Sequence, residues 1–137
     1  MRTIKTIGVL GLLMLSFACS NNDDSNDSSE TPSTEKLLIS GKWYLESKTP
    51  IDFSACEKNG SFQFNDDGSV QQENFEENSG TCEAADLIRA TYTLSDSSLV
   101  ITFGSEIISV TINNITASEL TLTDSNGDTF VLDKTQG

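Results

Sequence analysis

The side chains of this chain that could do chemistry are mainly carboxylates, because 21 Asp and Glu residues occur with three Cys and no His. Paired carboxylates can act in acid–base catalysis, but in so acidic a chain such pairs arise everywhere by chance. The sequence contains no nucleophile-elbow, P-loop or dinucleotide-binding motif. We therefore predict no catalysis and no cofactor. The net charge of −13 also argues against nucleic-acid binding, because phosphates would be repelled.

Two acidic segments could bind Ca²⁺ through carboxylate oxygens. The first contains Glu73, Glu76, Glu77, Glu83 and Asp86. It lacks the alternating ligand spacing of a dedicated calcium loop, so we interpret it as a solvated run of charges. The second, residues 124–128, is similar to half of an EF-hand loop, but it lacks the distal Glu and lies where a hairpin turn is required. We predict no metal site.

Arg89 is the only Arg outside the N-terminal segment. Its guanidinium could pair with an anionic group of a ligand. The favoured interpretation is a surface ion pair with Asp86.

Two of the three cysteines lie in the body of the chain. Cys56 and Cys82 form an even pair, which in an exported protein favours a disulfide. A metal site is disfavoured because the chain has no His and no CxxC pair. Free reactive thiols suit an oxidising compartment poorly. We therefore predict a Cys56–Cys82 disulfide.

The third cysteine, Cys19, follows a stretch with the features of an export signal. Arg2 and Lys5 precede an apolar run over residues 7–17, which is too short to span a membrane. The end of this run resembles the lipobox of bacterial lipoproteins, although Leu15 lies one position further from the cysteine than is usual. The resemblance implies a lipid anchor on Cys19. The alternative is an ordinary signal peptide with a cysteine there by chance.

The chain divides into three predicted segments: a lipoprotein signal peptide over 1–18, a lipidated Cys and disordered acidic tether over 19–36, and one domain over 37–137. After its cysteine the tether has no aliphatic or aromatic side chain, so it cannot bury apolar surface. Asp23 and Asp24 resemble the acidic signals that carry some Gram-negative lipoproteins to the cell surface. The alternative is that they only solvate the tether. We expect an outer-membrane lipoprotein, surface-exposed if the acidic signal operates.

Period-two alternation of apolar side chains dominates the predicted domain, as at Phe62 and Phe64. About eight such segments follow one another, separated mainly by turn sequences such as Asn126-Gly127, which is typical of a type I′ hairpin. An all-β, eight-stranded antiparallel up-and-down barrel would bury one face of this meander and leave no open edges. A two-sheet sandwich is the alternative, and the number of strands does not separate the two.

The opening of the domain favours the barrel, since Gly41-Lys42-Trp43 matches the Gly-x-Trp sequence that opens lipocalins. The whole domain resembles the small bacterial lipocalin-like domain family, which is found largely in lipoproteins. The elements that carry the resemblance are Leu38-Ile39-Ser40-Gly41-Lys42-Trp43, Cys56, Phe62-Gln63-Phe64-Asn65-Asp66-Asp67-Gly68, Cys82 and Tyr92-Thr93-Leu94, in this order. The resemblance covers about residues 38–134.

What the resemblance implies is a barrel whose interior could hold one small apolar or amphipathic molecule. The candidate ligand-binding residues are inward-facing aromatic side chains: Trp43, Phe62, Phe64, Tyr92 and Phe103. We interpret Trp43 mainly as a core residue near a closed end, with any ligand beyond it toward the open end. Two lipocalin features have no match in the sequence, the C-terminal helix and the Arg that covers the Trp. Lys134 is the only late cation.

Two functions remain open from the sequence. The first is a membrane-anchored lipoprotein that binds a small apolar or amphipathic ligand without catalysis, with the membrane (through Cys19) and this ligand as its partners. The second is a structural or interaction lipoprotein with a filled barrel, displayed at the cell envelope to a protein partner that the sequence does not identify. An apolar cavity of about 300 Å³ or more would favour the first function, and a solid core would favour the second.

Overall fold

The computed structural model describes residues 31–137, most of which lie in β-strands. A short helix, α1, spans Thr34–Leu38, and a 3₁₀ helix spans Glu57–Asn59. The strands are β1 (Lys42–Thr49), β2 (Ser61–Phe64), β3 (Ser69–Glu73), β4 (Phe75–Asn78), β5 (Thr81–Ala84), β6 (Ile88–Ser95), β7 (Ser98–Phe103), β8 (Glu106–Ile115), β9 (Glu119–Asp124) and β10 (Thr129–Asp133). The predicted signal peptide, Cys19 and most of the predicted tether lie outside the described residues. Within residues 31–137, no helix combines the length and the apolar character needed to cross a membrane.

Eight of the strands close into a barrel in the order β1-β2-β3-β6-β7-β8-β9-β10, and β10 pairs back with β1. All neighbouring pairs are antiparallel, which confirms the predicted up-and-down barrel over the sandwich. The strands coincide with the alternating segments because every second side chain must face the interior. In β2 and β3, for example, Phe64 pairs with Val70, and both side chains are buried.

The strands β4 and β5 form a separate hairpin inside the connection between β3 and β6. The acidic segment interpreted above as a solvated run of charges is thus exposed, but much of it is folded into strands. Ser79 and Gly80 make its turn with positive φ angles of 53° and 82°, as a type I′ turn requires. The base of the hairpin is closed by the Ala85 N–H, which donates to the Asn74 carbonyl at 2.9 Å. Because every side chain of β5 is exposed, no apolar alternation indicates the strand in the sequence.

The barrel has a closed end and an open end. Strand β1 begins beside α1 and runs toward the open end, where its connection to β2 contains the 3₁₀ helix. The antiparallel order places the β4–β5 hairpin and the β7–β8 and β9–β10 turns at the same open end. The β2–β3, β6–β7 and β8–β9 turns lie at the closed end together with α1.

Helix α1 covers the closed end, although its five residues are too few to form a stable helix alone. Ser33 caps its N-terminus, because its Oγ accepts a 3.3 Å hydrogen bond from the Lys36 N–H. At its other end Leu38 is fully buried against the barrel. The helix thus begins at Thr34, inside the segment that the sequence analysis assigns to the tether (19–36).

The closed half of the barrel is packed solid. Its most deeply buried side chains are Leu38, Trp43, Phe64, Val70, Leu99 and Leu120. The rings of Phe64 and Tyr92 meet edge to face with centroids 5.1 Å apart, and the Tyr92 hydroxyl donates to the Asn65 carbonyl at 2.8 Å.

Lys134 covers the Trp43 ring at this closed end. Its Nζ lies 3.3 Å from the ring centroid. The expectation that nothing at the C-terminus corresponds to the covering Arg of lipocalins is therefore corrected, because a Lys takes that place. Gly41 lies beside this pair with a φ of 131°, which favours Gly, and a Cβ there would make only an ordinary 4.0 Å contact with the same Nζ.

Candidate ligand cavity

The open half of the barrel contains a cavity of about 230 Å³. Its lining side chains are Leu45, Phe53, Phe62, Gln72, Ile101, Phe103, Ile108, Val110, Leu122, Phe130 and Leu132. All but Gln72 are apolar. Most of them are inward-facing residues of barrel strands, which follow from the period-two pattern of each strand. Such a lining can hold an apolar group but offers it almost no hydrogen bonds.

The predicted ligand-binding aromatics divide between the two halves of the barrel. Phe62 and Phe103 line the cavity. Trp43, Phe64 and Tyr92 lie in the packed closed half and do not line it. The cavity therefore lies beyond Trp43 toward the open end, and ligand binding by any of these residues stays a prediction.

The sequence analysis missed two aromatic residues of the lining, Phe53 and Phe130. Phe130 pairs with Leu122 across β10 and β9, so an inward Leu122 would have indicated an inward Phe130. Phe53 lies in the connection after β1, where no alternation exists to show its direction. Its ring lies 6.3 Å from the Phe130 ring, between centroids, and so stands over the mouth of the cavity.

A second, polar pocket of about 240 Å³ lies at the mouth of the barrel. It is lined by Leu45, Phe53, Glu57, Gln72, Asn74, Phe75 and Glu76. Three of these, Leu45, Phe53 and Gln72, also line the apolar cavity, so the two spaces adjoin. The Gln72 Nε2 donates to the Asn74 Oδ1 at 2.8 Å, which leaves the Gln72 Oε1 to accept a hydrogen bond from a ligand.

The carboxylate of Glu57 is held at this mouth by the turn that precedes the 3₁₀ helix. The Ser54 N–H donates to the Glu57 Oε2 at 2.7 Å. This bond, the Ser54 hydroxyl and nearby Lys48 hold the pKa of Glu57 below its usual value, so the group stays ionised at neutral pH.

Gly60 ends the 3₁₀ helix and allows the connection to pack closely against the barrel. A Cβ at this position would lie 2.9 Å from the Glu57 carbonyl oxygen and 3.1 Å from both the Glu73 carbonyl oxygen and the Leu45 Cδ1. Only Gly fits here without displacing backbone atoms. This close packing fixes the position of the Glu57 backbone at the mouth of the barrel.

The predicted disulfide is confirmed, and it joins two segments at the mouth. Cys56 immediately precedes the 3₁₀ helix, and Cys82 lies in β5, with Cα atoms 5.4 Å apart. The bond connects the segment that carries Glu57 to the hairpin that carries Glu76. The two carboxylates of the polar pocket are therefore held on covalently linked elements.

Two lysines of the open end are engaged in ion pairs. Lys48 Nζ lies 3.2 Å from Asp128 Oδ2, and Lys58 Nζ lies 3.2 Å from Asp52 Oδ2. Arg89 is exposed and takes part in none of the ion pairs recorded within residues 31–137, so the predicted pair with Asp86 does not form.

The acidic groups considered for Ca²⁺ have other roles in the structure. Glu73 pairs with Lys42 at 2.9 Å, and this partner lowers the pKa of Glu73. Asp124 Oδ1 accepts hydrogen bonds from the Asn126 and Asp128 N–H groups, at 2.8 and 3.0 Å, as in a hairpin turn. Within residues 31–137, no three His, Cys, Asp or Glu side chains are arranged to hold a metal ion.

A closed eight-stranded barrel with a packed end and an apolar cavity at the other end defines a lipocalin-like protein. The chain belongs to the lipocalin-like domain family, whose model matches residues 39–122. No curated protein sequence matches the chain significantly.

Solved structures of similar fold come from bacteria and from cattle. A lipocalin-like protein from Bacteroides uniformis is 15% identical, covers 72% of this chain and 99% of its own, and superposes with a TM-score of 0.55. A protein from Bacteroides eggerthii is 16% identical, covers 69% and 98%, and has a TM-score of 0.54. Bovine odorant binding protein, solved in complex with undecanal, is 16% identical, covers 79% and 77%, and has a TM-score of 0.42.

Proposed function

We propose that this protein is a lipoprotein of the cell envelope that holds one small apolar or amphipathic molecule in the open half of its barrel, without catalysis. The observation that carries the proposal is the cavity beneath Phe53, with ten apolar side chains among its eleven lining residues. A barrel with a purely structural role gains stability by filling its interior, as the closed half of this barrel does.

The size of the cavity limits the ligand. About 230 Å³ falls short of the roughly 300 Å³ that was expected above to favour ligand binding and at which drug-sized sites begin, so the proposal is limited to a smaller ligand. It is more than the roughly 150 Å³ of a cavity that holds benzene, and scaling from six carbons gives an apolar group of about eight or nine. Burying about 200 Å² of such a group contributes roughly 5 kcal/mol before association costs, so we expect micromolar or weaker binding.

Support for the anchor comes from the sequence before the described residues. The export-signal pattern ends at Cys19, and lipidation there would hold the chain at the outer membrane. Because α1 lies at the closed end, the chain that precedes Thr34 joins the barrel away from the mouth. An anchored barrel would therefore keep its own N-terminal connection clear of the ligand cavity.

The experiment that tests ligand binding is calorimetric titration of residues 20–137, exported behind a cleavable signal, with 1-octanol. Omitting the lipid avoids binding of the probe to acyl chains, and residues 31–137 contain the whole barrel. We expect saturable binding of one molecule per barrel and a Tm that rises with ligand concentration. Absence of saturable binding by 1-octanol and by the other straight-chain alcohols from hexanol to decanol would contradict the proposal.

A pair of variants on β8 locates the binding site. Val110→Phe adds bulk to a residue that lines the cavity, and we expect it to weaken 1-octanol binding at least tenfold. Ile107→Phe adds a ring to a side chain of the same strand that is 66% exposed, and we expect no change. Equal binding by both variants would show that the alcohol binds outside the barrel.

A second candidate function is an interaction protein displayed at the cell envelope. It is favoured by the solid closed half and by two exposed apolar residues at the open end, Ile51 (78% exposed) and Ile107 (66% exposed). Failure of the whole alcohol series to bind would make this the better interpretation.

A further inference from the structure

The apolar cavity and the polar pocket adjoin, so one ligand can occupy both spaces. We propose that the barrel selects single-chain amphiphiles with an amine head group over those with a carboxylate head group, an inference that rests on the proposed function. The alkyl chain would lie in the apolar cavity, and the head group would lie between Gln72, Glu57 and Glu76.

The charge of the polar pocket is the first argument. Its lining contains two carboxylates, Glu57 and Glu76, and no Lys or Arg. Within residues 31–137 neither carboxylate takes part in a recorded ion pair. A cationic head group would therefore meet two negative charges that have no direct ion-pair partner, with only the longer-range attraction of Lys48 acting on Glu57, and a carboxylate head group would be repelled by both.

The lysines of the open end do not reverse this charge. Lys48 approaches the Phe130 ring at 5.1 Å, but its Nζ is paired with Asp128. Lys58 is paired with Asp52. Arg89, near the start of β6 at the open end, forms no ion pair within residues 31–137, but its side chain is exposed and does not line the polar pocket.

The hydrogen-bonding groups of the pocket are the second argument. An ammonium group has three donors and no acceptor. The pocket offers acceptors that match it, the Gln72 Oε1 and the carboxylate oxygens of Glu57 and Glu76. An ionised carboxylate head group has only acceptors, and the side-chain donors it would find are the second amide N–H of Gln72 and the amide group of Asn74, beside two negative charges.

The rigidity of the mouth is the third argument. Glu57 is fixed by Ser54 and Gly60, and the Cys56–Cys82 disulfide ties its segment to the hairpin of Glu76. The carboxylate of Glu57 therefore cannot swing away from an anionic head group, whereas the exposed side chain of Glu76 is positioned only through the backbone of its hairpin.

The test compares three compounds that share an eight-carbon alkyl chain and differ only in the head group: octylamine, 1-octanol and nonanoate. At pH 7 and low salt we expect octylamine to bind residues 20–137 at least tenfold more tightly than nonanoate, with 1-octanol between them. In 0.5 M NaCl the difference between the charged compounds should shrink, because salt screens exposed charges. Nonanoate binding as tightly as octylamine would overturn the selectivity and leave the proposed function standing. Failure of all three to bind would overturn both.

Variants in which Gln replaces Glu test whether the carboxylates at the mouth cause the selectivity. Glu57→Gln with Glu76→Gln should lower octylamine affinity about tenfold, to near that of 1-octanol, whose uncharged hydroxyl group should make its own affinity change much less. The Gln at position 57 keeps an acceptor for the Ser54 N–H, so the turn is preserved. Glu119→Gln removes one charge at the closed end and should leave the selectivity unchanged. An unaltered preference in the double variant would overturn the assignment.

Discussion

The indole Nε1 of Trp43 donates a 2.8 Å hydrogen bond to the carbonyl oxygen of Leu38, and both side chains are fully buried. The carbonyl belongs to the last residue of α1, where a helix leaves carbonyls without an intrahelical partner. One side chain of β1 thus satisfies the end of the helix and holds it over the closed end of the barrel.

Replacing Trp43 by Phe tests how much this hydrogen bond contributes to the free energy of unfolding. The ring is shortened and the Leu38 carbonyl loses its donor, so we expect the free energy of unfolding to fall by at least about 1–3 kcal/mol. Urea denaturation followed by far-UV circular dichroism measures it. The control is Tyr44→Phe. Tyr44 is the next residue and is only half-buried, so we expect the free energy of unfolding to change by no more than about 0.5 kcal/mol. Equal losses in the two variants would show that the bond contributes nothing.

The Cys56–Cys82 bond should stabilise the domain by restricting its unfolded chain. For a sequence separation of 26 residues the chain-entropy model gives at most about 3.5 kcal/mol. We expect the double variant Cys56→Ser and Cys82→Ser to unfold at lower urea concentration, and the amides of β4 and β5 to exchange faster than those of β7. Two free thiols in protein isolated from the cell envelope would contradict the disulfide.

Lys134 should make stability depend on pH in the alkaline range. Burial lowers the pKa of Lys134 below its unfolded value of 10.5, and its Nζ has no hydrogen-bond partner within residues 31–137. Between the two pKa values the unfolded chain binds more protons, so the contribution of this group to stability rises with pH toward 10.5.

The variant Lys134→Met isolates this effect. The stability of the parent chain relative to the variant should increase from pH 8 to pH 10, as measured by urea denaturation at each pH. The two Tyr residues and the other Lys residues are common to both proteins and cancel in the comparison. A difference between parent and variant that stays constant with pH would contradict the depressed pKa.

Cys19→Ser should release the protein from membranes, because the tether and the domain are acidic and have no other predicted anchor. Membrane fractionation of the parent and the variant, with mass spectrometry of the parent N-terminus, measures the effect. Replacing Ser20 by Ala is the control, and it should leave the protein in the membrane fraction. A variant that fractionates like the parent, with no acyl mass on the parent, would refute the lipid anchor.

The alternation of apolar residues predicted most of the eight barrel strands, whereas the polar strand β3 shows it only weakly. Each strand must bury one face, so apolar residues recur at every second position, as at Phe62 and Phe64. The hairpin β4–β5 was missed because it buries little, and the only local signal was Ser79-Gly80 at its turn. Where two paired strands expose their side chains, turn geometry and neighbouring segments decide the pairing. No apolar periodicity then marks the strands in the sequence.

The candidate site was predictable only in part. Alternation shows that Trp43, Phe64 and Phe103 share the inward face, but it does not show how far along the barrel each one lies. That depth depends on strand register, which places Phe103 at the cavity and Trp43 in the packed end. Phe53 reaches the cavity from a connection, where no repeating pattern exists.

By itself the sequence determined the barrel, the family and the cysteine pair, because these follow from local periodicity, ordered motifs and residue counts. Only the tertiary structure decided that one half of the barrel is solid and the other hollow. It also placed Glu57 beside Gln72, and Lys134 on Trp43, although each pair is far apart in the chain. The physical reason is that a cavity and a buried charge depend on strand register and barrel closure, which bring distant residues together.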